Sequence, residues 1–142
     1  MKHFFLTALI SLLIFSCSGS DDVDPNCNFL INAGFSTSIN LNLPQFSQLQ
    51  FASNSVFIPN VGNQGVIVTN IGSGFFAWDA SDPNHELRSC SRLSISGLEG
   101  TCGCEEANTY SLVNGQPLDA DLPCGLLNYR VQQEGSTLFI SN

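Results

Sequence analysis

Beyond Phe15 no window of the chain repeats its apolar residues at helical spacing, whereas short β-branched and aromatic runs return again and again between turn residues. Ile39, Leu41 and Leu43 alternate with Asn40 and Asn42, the pattern of a strand with one buried face, and Pro44 ends it. Val56-Phe57-Ile58 stops at Pro59, Gly65 to Thr69 follows a turn at Gly62-Asn63, and Gly72-Ser73-Gly74 leads into Phe75-Phe76-Ala77-Trp78. Tyr110 to Val113 runs into Asn114-Gly115, a strong hairpin signal, and Leu127 to Gln132 with Thr137 to Ile140 flank Glu134-Gly135 as a second hairpin. Many short strands without helices between them predict an all-β domain, a small antiparallel sandwich or barrel.

The head of the chain is organised differently. Lys2, an apolar run from Phe4 to Phe15 and then Ser16-Cys17 form the charged, hydrophobic and small-residue layout of a signal peptide. Its end, Leu13-Ile14-Phe15-Ser16-Cys17, resembles a bacterial lipoprotein lipobox. That resemblance implies cleavage of residues 1–16 and acylation, palmitate included, of Cys17 as the new N-terminus. Each methylene buried in a bilayer contributes about 0.8 kcal/mol, so two or three chains anchor firmly. Residues 17–26, from the lipidated Cys17 through small and acidic positions, read as a flexible tether with nothing to bury. Residues 27–142 form one β domain, long enough for a single core. Ser18, not Asp, follows Cys17, so an outer membrane or cell surface is expected over the inner membrane.

Once Lys2 is removed, three arginines (Arg88, Arg92 and Arg130) face twelve acids, a formal charge of -9. Nucleic acid is therefore excluded as a partner. Charged residues are only 11% of the chain, against roughly 25% in average proteins, so Ser, Asn, Gln and Thr must make up much of the surface.

From Ile39 onward the order of elements resembles a Rieske [2Fe-2S] domain of the ferredoxin type. The residues that carry the likeness are Leu43-Pro44, Gly65-Val66-Ile67-Val68, Phe75-Phe76-Ala77-Trp78-Asp79, Cys102-Gly103-Cys104, Tyr110 to Pro117, Leu126, and Tyr129-Arg130-Val131. In that family two loops each present a Cys and a His, giving one iron two thiolates and the other two imidazoles. The resemblance aligns Asp82 and Asn84 with the first Cys-x-His pair, leaving His85 one residue late. In the second loop Cys102 holds the thiolate position and Glu105 the imidazole position. One ligand of four is kept, so the sequence-based expectation is that no cofactor is bound, with [2Fe-2S] as the alternative.

The resemblance also implies a disulfide between the two loops. Cys104 has the position of its second half and Cys90 is the thiol nearest the first, so a Cys90 to Cys104 bond is expected. Export permits such crosslinks. Leaving Cys17 aside, five cysteines remain and at least one must be free. A second bond between Cys27 and Cys124 would leave that role to Cys102.

His85 is the one candidate metal ligand of its loop, with Asp82, Glu86, Cys102, Glu105 and Glu106 as neighbours for a mononuclear site. Trp78, Phe75 and Phe76 are read as core. No nucleophile elbow, phosphate loop or HExxH motif is present, so an enzyme is not expected. These features together describe a membrane-anchored lipoprotein of the cell envelope whose degenerate Rieske-like domain acts in binding or as a structural accessory, its protein partner unnamed. Electron transfer through a retained centre is the alternative.

Overall fold

The computed structural model describes Asp24 and residues 26–142. The signal segment, Cys17 and most of the tether lie outside those residues. Nine strands follow in order: β1 (Ser36–Asn40), β2 (Asn54–Ile58), β3 (Val66–Asn70), β4 (Phe75–Asp79), β5 (Leu93–Ser96), β6 (Glu99–Cys102), β7 (Thr109–Ser111), β8 (Asn128–Glu134) and β9 (Thr137–Ser141). A single 3-10 turn, Ser47–Gln50, is the one helical element among the described residues and buries Leu49. The expected all-β class holds. No described helix is long and apolar enough to cross a membrane.

The strands form two antiparallel sheets. The larger runs β1-β9-β8-β4-β3-β2 and curls into a half-barrel, while β5-β6-β7 make a small second sheet. In the larger one Val66 pairs with Asp79, Ile67 with Trp78 and Val68 with Ala77. Side chains alternate across a sheet, so Val66, Val68 and Ala77 join a core with Leu49, Tyr129, Leu138 and Ile140. Ile67 and Trp78 face the other way, into a second core with Leu93, Cys102, Tyr110, Leu112 and Leu126. The unbroken run Val66-Ile67-Val68 is thus a strand covered on both faces, as in sheets with layers on each side.

Three local readings change in the structure. The strand drawn through Leu43 ends at Asn40, because the Asn40 side-chain oxygen accepts the Asn42 amide at 2.9 Å and the chain turns there. The hairpin of β5 and β6, closed by a two-residue loop with Gly97 at a φ of 61°, is absent from the sequence reading. Asn114-Gly115 does turn the chain, yet no strand follows: a lone bridge joins Tyr110 to Pro117, which lacks the N–H needed to extend a ladder.

Two connections place the tip of the molecule. Residues 80–92 link β4 to β5, and residues 103–108 link β6 to β7. The first leaves and rejoins beside itself, since the Leu93 amide donates to the Ala80 carbonyl at 2.7 Å and Asp82 to the Ser91 carbonyl at 2.9 Å. Trp78 pins the small sheet to the large one through its indole N–H, 2.9 Å from the Leu112 carbonyl. Gly115 lies against the face of that indole: a Cβ there would sit 2.5 Å from Trp78 Cζ3, and its φ is 72°.

Candidate functional site

Asp82 and Asn84 sit at the start of the first loop and are committed to hydrogen bonds. The Asp82 carboxylate is fully buried. It accepts the Tyr110 hydroxyl in a short hydrogen bond, the Asn108 side-chain amide at 2.9 Å and the Asn84 backbone amide at 2.8 Å. Asn84 in turn donates its side-chain amide to the Tyr110 oxygen and to the Cys124 carbonyl, both at 2.8 Å, while its oxygen accepts the Cys124 amide at 3.1 Å. The two side chains therefore bind the first loop to β7, to the second loop and to the segment around Cys124. Burial holds the Tyr110 hydroxyl above the ordinary tyrosine range, with the Asp82 charge raising it further and Asn84 opposing.

Cys102 and Cys104 lie in the second core and Cys90 at its rim. Cys90 is bonded to Cys104 across the two loops, and Cys27 to Cys124 over a separation of 97 residues. Cys102 is free and buried, which pushes its thiol up to about 11. The Cys104 backbone amide partly offsets that, and the Asp82 carboxylate adds to it. His85 is half-buried, with Nδ1 2.8 Å from the Glu86 carbonyl and 3.9 Å from Cys104 Sγ, and Nε2 3.7 Å from Glu106. Glu86, Glu105, Glu106 and Leu87 form the exposed rim.

Residues 82–86 and 102–106 thus lie side by side, tied by the Asn108 to Asp82 hydrogen bond and the Cys90–Cys104 disulfide. No group of three His, Cys, Asp or Glu side chains suited to a metal occurs among the described residues. Two contributors went unseen in the sequence. Asn108, in a loop, carries no local signal. Asp79 stands in the Phe-x-Ala-x-Asp phrase, yet nothing there shows that its buried carboxylate accepts the Tyr129 hydroxyl at 2.6 Å and the Asn63 amide at 2.7 Å.

No family model matches the chain, and no curated protein does. Solved structures do match. The ferredoxin in a complex of reduced oxygenase and oxidized ferredoxin of carbazole 1,9a-dioxygenase shares 14% identity over 76% of this chain and 92% of its own, with a TM-score of 0.50. The fold is Rieske-like and ferredoxin-type. The ferredoxin of carbazole 1,9a-dioxygenase from Nocardioides aromaticivorans IC177 shares 16% identity over 73% of this chain and 96% of its own, with a TM-score of 0.48. A protein described as an NADH-dependent nitrite reductase small subunit from Mycobacterium tuberculosis shares 14% over 78% and 97%, with a TM-score of 0.46.

The first of these neighbours corrects one expectation. A ferredoxin recorded as oxidized is a redox protein, so the expectation of no cofactor does not stand for a Rieske-like domain. The residues at this tip nevertheless do not fit a conventional [2Fe-2S] cluster. At the four positions that the resemblance assigns to ligands, Asp82 already accepts from three donors, Asn84 is held by Tyr110 and Cys124, Glu105 is exposed, and Cys102 alone offers a thiol. Breaking the Asp82 contacts would leave buried donors unpaired, at roughly 1–3 kcal/mol each. Nor does the tip hold an activated nucleophile, since the thiol is kept protonated and the carboxylate beside it is occupied.

Proposed function

We propose that this chain is a non-catalytic Rieske-like module, hung from a bacterial envelope membrane by lipid on Cys17, whose tip docks to a protein partner. The observation that supports docking is the combination of a rigid base and a charged rim. Asp82, Asn84, Asn108 and Tyr110 lock the two loops from below, and Glu86, Glu105 and Glu106 stand exposed above them with Leu87. A preordered surface loses little entropy on binding, and the exposed Glu105 and Glu106, beside a Glu86 that Arg88 pairs with at 3.0 Å, leave the rim acidic and suit a basic partner surface. The matched ferredoxin is itself in complex with an oxygenase, which supports a protein as the class of partner.

Two experiments test the parts separately. Replacing Cys17 with Ser should move the protein from the membrane to the soluble fraction and abolish palmitate labelling; unchanged partitioning would end the anchoring claim. Cross-linking of the full chain in isolated envelopes should give a discrete adduct that the triple variant Glu86→Lys, Glu105→Lys, Glu106→Lys loses. An adduct indifferent to that reversal would place docking elsewhere.

The fold match also supports a second reading, electron transfer through a centre at the same tip held by unconventional ligands. Visible absorption of the oxidised protein and an EPR signal on reduction favour that reading; a colourless, EPR-silent protein ends it.

A further inference from the structure

Charge is distributed unevenly along this chain. Residues 25–78 contain no Asp, Glu, Lys, Arg or His, and they hold β1, β2, β3 and all of β4 except Asp79. Strand pairing gathers the turns of that stretch at one end of the larger sheet. Asn54 pairs with Asn70 and Asn70 with Phe75, so connections 41–53 and 71–74 lie together, opposite the end where Val66 meets Asp79 and the tip loops begin. The β8–β9 hairpin arrives there too, its Ser136 carbonyl accepting the Leu41 amide at 2.8 Å, and Glu134 is the one charge it brings. Two apolar side chains stand out from this end, Phe51 at 69% exposure and Leu43 at 44%, while Leu49 between them is fully buried.

The backbone of the same loop is satisfied from within. Ser47 donates its hydroxyl to the Pro44 carbonyl at 3.0 Å, Gln50 its side-chain amide to Leu41 at 2.8 Å, and Asn70 its own to Leu49 at 2.8 Å. Asn54 donates to the Phe51 and Ala52 carbonyls, both at 3.2 Å. Lipid imposes that condition on any backbone that meets it, because a polar group stripped of water without a partner is costly. We propose that this uncharged end, led by Phe51 and Leu43, rests in the lipid interface of the membrane to which Cys17 is anchored, with the acidic tip turned away from the bilayer.

The inference rests on the lipid-anchor reading and adds an orientation to it. An anionic bilayer repels the carboxylates of the tip within a Debye length, and it finds no charge to repel in residues 25–78. Apolar side chains enter the boundary between headgroups and acyl chains. Chain length sets a limit. Cys27 is bonded to Cys124, whose backbone Asn84 holds, so the tether leaves the domain on its tip side. From Cys17 to Cys27 the chain spans at most about 35 Å, and a domain of this size is about 35 Å across. The far end therefore reaches the bilayer only with the tether nearly extended.

The mature lipidated chain is reconstituted in phosphatidylcholine and phosphatidylglycerol vesicles whose acyl chains carry bromine, a quencher of tryptophan. Trp78, buried in the second core, supplies the baseline. In Phe51→Trp the added emission should shift to the blue and be quenched roughly 2-fold, as for a side chain about 5–10 Å inside the interface. Leu118→Trp, at an exposed position beside β7, should be quenched no more than Trp78 alone. Deleting residues 19–23 cuts the reach from Cys17 to Cys27 to about 17 Å and should return Phe51→Trp to that baseline while the protein still floats with the vesicles. Equal quenching at both positions, quenching that survives the deletion, or none at Phe51→Trp would overturn the contact, the last being the result if a protein and not lipid covers this end. Protein that fails to float has no anchor, and the anchor reading then falls together with this one.

Discussion

Tyr110 donates its hydroxyl to the carboxylate of Asp82, 28 residues away in sequence, and both side chains are wholly buried. The contact joins β7 to the loop that leaves β4. It makes the tip a hydrogen-bonded structure whose parts rely on one another, and several expectations rest on it.

Replacing Asp82 with Ala removes the acceptor of three buried donors: Tyr110, Asn108 and the Asn84 amide. The expected loss of stability is about 3–5 kcal/mol by urea unfolding. Asp82→Asn keeps one acceptor oxygen and should lose less. A shift of the Ala variant within about 1 kcal/mol of wild type would show that water replaces the carboxylate at little cost.

Alkaline pH should destabilise the fold. Burial lifts Cys102 from its ordinary 9.0 to about 11, and Tyr110 and Tyr129 are also raised, each by burial first. For groups whose folded pKa is raised, the stabilisation is complete below the unfolded value and is lost as pH rises through the folded one. The Cys102 contribution should therefore fade between pH 9 and 11. Cys102→Ser should flatten the slope of unfolding free energy over that window; an identical slope would remove the thiol as its source.

Alkylation reports the same thiol kinetically. In the native protein a maleimide should leave Cys102 unmodified at neutral pH, because the group is buried and protonated. Labelling as fast as in urea would mean that the tip opens readily.

The Cys27–Cys124 bond closes most of the domain, and it holds the segment that reaches Asn63, where Ile31 exchanges hydrogen bonds at 2.9 and 3.1 Å. Closing a loop of about this length restricts the unfolded chain by about 4–5 kcal/mol in the chain-entropy model. Cys27→Ser with Cys124→Ser should lower the unfolding free energy by up to that amount. A loss under about 1 kcal/mol would mean that the hydrogen bonds of Asn63 and Asn84 already fix the segment.

Gly115→Ala should be among the costlier single changes outside the loops. The added methyl would meet the Trp78 ring at 2.5 Å, at a backbone φ of 72° that alanine disfavours. A loss of about 2–4 kcal/mol is expected, with a shift in Trp78 fluorescence; an unchanged emission spectrum would show that the turn moves and the indole does not.

The sequence by itself determined the class and the positions of most strands. Short β-branched runs between Gly, Pro and Asn turns report local preferences, so Val66 to Thr69, Phe75 to Trp78 and the terminal hairpin were legible. Where a side chain competes with the ladder, as Asn40 does, or where the strands are short and polar, as in Leu93–Ser96 and Glu99–Cys102, local preference gave the wrong end or no signal. Sequence also showed that Asp82, Asn84 and Glu105 stand where the resemblance calls for iron ligands. Only the tertiary structure decided what Asp82 and Asn84 do instead, because a hydrogen bond to Tyr110, Asn108 or Cys124 depends on loops far apart in the chain being folded against one another. The sulfurs divide differently. Both expected disulfides, Cys90–Cys104 and Cys27–Cys124, stand in the structure, but the burial of the free Cys102 follows from the packing of the small sheet on Trp78 and Ile67.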